Sequence, residues 1–107
     1  MIVTTTPDIE GRKIGAYLGI VTGEAVMGTN IFRDLFAAVR NIVGGRSESY
    51  ERELMTGRDA AIEAMIERAQ ALEADAIVGV DLDYDAIAGG NSTMLMISVN
   101  GTAVKLA

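Results

Sequence analysis

The chain has 107 residues, a formal net charge of −6 and a pI near 4.5; half of its residues are hydrophobic but only 5% are aromatic. That length suits one domain with one core, and the acidity excludes nucleic acid as an expected partner, because nine basic residues are scattered among fifteen carboxylates instead of forming a basic stripe. Cysteine and histidine are both absent, which removes disulfides, thiolate nucleophiles, cysteine-ligated metals and the usual general base.

The mean hydropathy of +0.28 is high for so small a chain, so part of the apolar excess is expected between subunits. No apolar run approaches the roughly 18 residues of a membrane span; stretches such as Ala76 to Val80 are strand-sized. Met1-Ile2-Val3-Thr4-Thr5 has no basic segment followed by a long apolar one, so the expectation is no secretion signal, no membrane partner and a cytoplasmic location.

In chain order, Ile2 to Thr5 reads as a short strand and Pro7-Asp8 as a turn. A second strand is predicted from Ile14 to Val21, with Ile14, Ala16, Leu18 and Ile20 on one face and Gly15, Tyr17, Gly19 and Val21 on the other. Glycines flanking a tyrosine in a strand mark a place where another backbone or ring approaches closely. Gly15, Tyr17 and Gly19 are therefore candidate subunit contacts. The segment Gly23 to Asn30 has the outer glycine spacing of a phosphate loop, but Thr29 and Asn30 stand where that loop needs a lysine and a hydroxyl. The preferred reading is a glycine-marked helix start, which retains the capacity to hold a small anion.

A helix is predicted from about Ile31 to Val43, capped by Thr29 or Asn30, carrying Phe32, Leu35, Phe36, Val39 and Val43 on one stripe and stopped by Gly44-Gly45. A longer helix begins near Ser47, with Glu48, Glu51 and Glu53 suited to the positive end of its dipole. Its stripe is Tyr50, Leu54, Ala61, Met65, Ala69 and Leu72, widened by Ile62 and Ile66. Gly57 takes a place in that stripe although glycine costs about 1 kcal/mol in a helix, which points to close packing. Ala74-Asp75 closes the helix.

Ala76 to Asp85 reads as a strand with Val78, Val80, Leu82 and Tyr84 on one face and Gly79, Asp81, Asp83 and Asp85 on the other. Gly89-Gly90-Asn91 is a turn, Thr93 to Val99 a strand, Asn100-Gly101 a tight turn or bulge, and Thr102 to Leu106 the last strand. The order β-β-α-α-β-β-β predicts an α+β fold, a two-layer domain in which two helices, the second long, cover a largely antiparallel sheet.

Asp81, Asp83 and Asp85 line one strand face about 7 Å apart and copy the first three ligand positions of a calcium loop. Ala86 stands where that loop needs glycine, and no glutamate closes it. A solvated face that guards a strand edge is the favoured reading, and a cation site its rival. Met94 and Met96 share a face and offer soft sulfur, although packing is the commoner use of methionine. Ser47, Ser49, Ser92 and Ser98 have no adjacent lysine or other activating partner, so no catalytic residue is assigned and no enzyme activity is expected; an acid/base pair of Asp and Glu is left open.

Thr4-Thr5-Thr6-Pro7, Tyr17 to Ala25, Gly28 to Asp34, Ile42 to Ser47, Ala74 to Asp81 and Gly101 to Val104 together resemble hallmark segments of the YbjQ-like family of uncharacterised bacterial proteins, in the same order and over nearly the whole chain. The resemblance implies one YbjQ-like domain over residues 1–107, a dodecin-subunit-like, ring-forming α/β subunit that assembles as a homopentamer, with extra strands joining the subunits. It also brings a heavy-metal-binding label and hence a metal ion as a ligand, but no established site to carry over. Arg46, in Gly44-Gly45-Arg46-Ser47, lies between a helix stop and a helix start, where it is expected to join the helices and salt-bridge across subunits. With Gly57 it completes the candidate contact residues. The expected function is a noncatalytic homo-oligomer with no cofactor; the alternative is a binding module for a metal cation or small anion.

Overall fold

The computed structural model describes residues 1–27, 48–89 and 92–107. These form β1 (Ile2–Val3), β2 (Ile14–Met27), α1 (Glu48–Ala71), β3 (Ala76–Gly89) and β4 (Ser92–Leu106). The sheet order is β1-β3-β4-β2, with β1 parallel to β3 and both other pairings antiparallel. The expected α+β architecture with a largely antiparallel sheet is therefore present, with α1 packed on one face. The helix expected at 31–43 lies outside the described residues, as do Thr29, Asn30, Gly44-Gly45, Arg46 and Ser47.

Helix α1 forms where its apolar residues recur at helical spacing, and the stripe is made of small or flexible side chains. Ala61, Met65 and Ala69 have no exposed surface, and Leu54, Ile62 and Ile66 pack beside them. Facing them are Val21 and Met27 of β2, Ile77 of β3, and Leu95, Ile97, Val99 and Ala103 of β4. Leu72, expected on the stripe, is instead 45% exposed because the helix has ended at Ala71.

Two glycines set the helix-to-sheet distance. A Cβ on Gly23 would collide with the Ala61 carbonyl oxygen and lie 2.8 Å from Met65 N; one on Gly57 would lie 2.5 Å from Ile97 Cδ1 and 3.1 Å from Met27 Sδ. Gly57 therefore serves close packing inside the chain, as its place on the helix stripe suggested.

Strand β2 runs on to Met27, past the Val21 end expected for it, so Gly23 to Met27 is strand. The helix entry expected at Gly28, and the anion reading attached to it, lie outside the described residues. Two register shifts, between Ile14 and Ala16 and between Tyr17 and Gly19, also break the expected alternation. Each inserts one unpaired residue and so exchanges the faces. Ile14 packs on the side away from the helix and Leu18 on the helix side; Tyr17, opposite Val104, and Ile20, opposite Thr102, sit on the open side, away from Val21.

A third shift lies in β3, where Gly79-Val80 oppose the single residue Gly101. Gly79 takes φ +62°, a conformation side chains resist. Val78 therefore turns to the open side, against Ala76 and Val104, whereas Val80 and Leu82 pack on the helix side. Strand β4 passes straight through Asn100-Gly101, so of the tight turn or bulge expected there the turn does not occur, and the bulge lies on β3, opposite Gly101. A side chain at Gly101 would lie 2.6 Å from Ile77 Cγ2 and 3.0 Å from Val80 Cγ2; the glycine makes room for the bulge.

The Cα radius of gyration is 16.9 Å, with extents of 52 × 31 × 16 Å, against about 13 Å for a compact domain of this size. Long strands extend beyond the cover of the helix.

Gly23→Ala is expected to lower stability by about 2–3 kcal/mol, since a tight contact between two backbones cannot relax by a rotamer change. Gly79→Ala, which meets open space but keeps the left-handed backbone, should lose only about 1–2 kcal/mol. Urea denaturation of both variants checks the order.

Candidate functional site

The face of the sheet turned away from α1 carries the chemistry read from the sequence. Its base is closed by Ala76, Val78 and Val104 under Ile9, Ile14 and Leu106. Beyond them Asp81, Asp83 and Asp85 lie opposite Asn100, Ser98 and Met96, while Thr22, Glu24 and Val26 of β2 meet the same three β4 residues from the other side. Met94 lies on this face too, 38% exposed.

The three aspartates stand in a row along an exposed strand. Asp83 is the perturbed member: a hydrogen bond with Asp81 and the charge of Asp81 raise its pKa above the usual aspartate range, and Asp85 adds to the effect. Among the described residues no group of three or more Asp or Glu side chains is arranged to hold a metal ion.

At the base of the sheet, Asp75 does the opposite. Its Oδ2 accepts the Leu106 backbone N–H at 2.9 Å, and Lys105 Nζ lies 3.6 Å from Oδ1. The hydrogen bond from Leu106 is the main cause that holds its pKa below the usual value; desolvation opposes it, and Lys105 and Arg12 add to the lowering. This ties the end of β4 to the turn after α1, where Asp75 N also donates to Val104 O at 2.8 Å.

At the outer edge, Arg68 in the last turn of α1 reaches round β2. Its Nη1 donates to Thr22 O at 2.6 Å, to Thr22 Oγ1 at 3.2 Å and to Glu24 Oε2 at 3.1 Å. Nothing in local sequence signals this group, in which Arg68 lies more than 40 residues from both partners.

The candidate contact residues of β2 stay together at one end of the edge strand. Tyr17 is 72% exposed and Ile20 80%. Gly19 has φ +126° with open space where a side chain would stand, and Gly15 approaches Ala107. Tyr17 also borders an open hollow of about 670 Å³ formed by the loop from Asp8 to Ile14. A smaller apolar cleft of about 250 Å³ lies beside α1, floored by Val3, Ile62, Val80 and Leu82 and rimmed by Thr4, Thr5 and Arg58.

A family model for YbjQ proteins, described as "putative heavy-metal-binding", matches residues 1–107, the whole chain. The chain belongs to the YbjQ family. Its fold is also similar to the crystal structure of a protein of unknown function from Pediococcus pentosaceus, assigned to the DUF74 family, at a TM-score of 0.65. That likeness covers 100% of this chain and 98% of the other at 18% identity.

The donors of this YbjQ chain do not fit a heavy-metal centre of the usual kind. Thiolate and imidazole select such metals, and the sequence contains neither. What the open face offers is carboxylate, hydroxyl and amide oxygen, with thioether sulfur at Met94 and Met96. No helix among the described residues is long and apolar enough to cross a membrane.

The two perturbed aspartates predict opposite pH dependences. The raised pKa of Asp83 means that the folded state holds its proton more tightly than the unfolded chain, so stability falls as pH rises through and just above the aspartate range. Asp83→Asn should therefore melt higher than wild type at pH 7, with the gain closing as the pH drops. The lowered pKa of Asp75 contributes stability above the unfolded value of about 3.9, lost as pH falls through that value and below it. Asp75→Asn should melt lower at pH 7 and converge on wild type in acid. Thermal melts from pH 3 to pH 8, spanning about these unfolded values, read both.

Proposed function

We propose that this chain, as one domain, is a noncatalytic subunit of a symmetric homo-oligomer, and that the Tyr17 end of β2 is a contact surface. The observation that carries the reading is the exposure of Tyr17 and Ile20 on an edge strand, at 72% and 80%. Tyrosine is among the residues that most often dominate interfaces, and an exposed isoleucine beside it adds apolar area. Gly19 leaves the space next to them open, and the hollow beside Tyr17 gives a partner surface a place to enter. The elongated outline supports the same reading, since among the described residues the long strands extend beyond α1 and would gain from a neighbour. A pentameric ring is the assembly that the family resemblance implies.

Light scattering on the purified protein should return a mass near that of five 11.3 kDa subunits. Tyr17→Asp should reduce it while leaving the circular dichroism unchanged, since loss of a central tyrosine costs about 2 kcal/mol or more per contact. A wild-type monomer at micromolar concentration sinks the proposal.

A second reading, a cation site, is favoured by one observation, the row of Asp81, Asp83 and Asp85 along one exposed strand face. A hard divalent ion would relieve their repulsion, and a ligand that binds only the folded state adds about 2.7 kcal/mol at a hundredfold excess over its Kd. Millimolar Ca²⁺ or Mg²⁺ should then raise the melting temperature of wild type but not of Asp83→Asn. Equal melting curves with and without the ion, in both proteins, remove this reading.

A further inference from the structure

Among the described residues β2 is an edge of the sheet, with β4 as its one strand partner. In an antiparallel pair every second residue turns both its N–H and its C=O away from the partner strand. Thr22 is such a residue: its carbonyl accepts from Arg68, which lies outside the sheet. The register is regular from Gly19 to Met27, so Ile20, Glu24 and Val26 share that outward turn and carry their side chains on the open face. Ile20 is 80% and Val26 58% exposed. An edge that combines free backbone groups with exposed β-branched side chains is a template for adding another strand.

Arg68 interrupts that template at its middle. A strand adding to β2 needs the Thr22 carbonyl for one of its own N–H groups, and that oxygen is already taken at 2.6 Å. The same guanidinium is held by Thr22 Oγ1 at 3.2 Å and by the two Glu24 oxygens at 3.1 and 3.4 Å. The incoming strand would have to break these bonds and bring its backbone against a charged pair, and charge on an edge is how soluble sheets resist such addition.

We propose that Arg68, Thr22 and Glu24 form an edge guard that blocks strand addition to β2 by further copies of this chain. The guard acts on whatever unit the wild type forms, single chain or ring, so its test reads only the change from wild type.

Arg68→Ala is compared with wild type by light scattering over a concentration series, with circular dichroism to establish that it is folded. The weight-average mass should rise with concentration to at least about twice the wild-type value, since the smallest product joins two wild-type units. Adding Val26→Lys to that variant should return the wild-type mass, because the new charge lies on the same edge. A folded Arg68→Ala protein with wild-type mass at every concentration overturns the proposal. So does a rise in mass that Val26→Lys leaves in place, which would locate the association elsewhere. If Arg68→Ala does not fold, Glu24→Ala, which removes the countercharge from an exposed position, is judged by the same two outcomes.

Discussion

The contact on which the rest of this fold depends is the one between two backbones, where α1 lies on β2 at Gly23 and Ala61. With no side chain between them the helix axis sinks toward the sheet, and Gly57 lets Ile97 and Met27 fill the next turn. Small residues at a contact trade apolar area for proximity, and the dispersion gained at close range across Ala61, Met65 and Ala69 offsets that trade. The trade also has a directional consequence. A helix drawn down over β2 and β4 leaves the helix side of β3 only partly covered, so Val80 and Leu82 are half-buried and Tyr84 is 46% exposed. The apolar cleft beside α1 is the space this placement leaves.

The three register shifts are the second constraint, because each decides which chemistry reaches which face. Without the extra residue at Gly79-Val80, the aspartates of β3 would continue on the face of Ile77 and turn under the helix. With it, Asp81, Asp83 and Asp85 all face solvent opposite Asn100, Ser98 and Met96. The bulge needs room, and Gly101 supplies it from the neighbouring strand. Gly79 and Gly101 thus act as a pair across β3 and β4, one bending the chain and the other vacating the space into which Ile77 and Val80 project.

How far this was legible in the sequence depends on the distance over which each signal acts. The α1 stripe was readable because Leu54, Ala61, Met65 and Ala69 repeat at helical spacing within one element. The row of aspartates was readable because it lies wholly beyond the bulge, where simple alternation holds. Faces that cross a bulge were not: Ile14 and Leu18, or Val78 and Val80, look like neighbours in an alternating pattern until one residue is inserted between them. Glycine marked the right places but only part of what happens at each. Gly57 signalled packing within the chain, Gly23 a strand beneath a helix, and Gly101 a gap for a bulge where Asn100-Gly101 resembled a turn. The Arg68 group had no sequence signal at all, since it exists only once α1 has been laid across β2.

The two ends of β2 now differ in a way that bears on assembly. Toward Met27, the outward backbone is occupied at Thr22 by a charged group, and regular pairing with β4 keeps that stretch straight. Toward Ile14, two bulges twist the strand, Gly19 leaves open space, and Tyr17 stands exposed beside a hollow. Bulges disrupt a continuous edge while re-aiming side chains, so this end offers side-chain contacts where the other offers guarded backbone. On the proposed reading, a closed ring needs that asymmetry. Strand addition along the whole of β2 would pair it with the same edge of another copy and close as a dimer, whereas contact through re-aimed side chains at one end joins unlike surfaces, the kind of contact from which a ring is built.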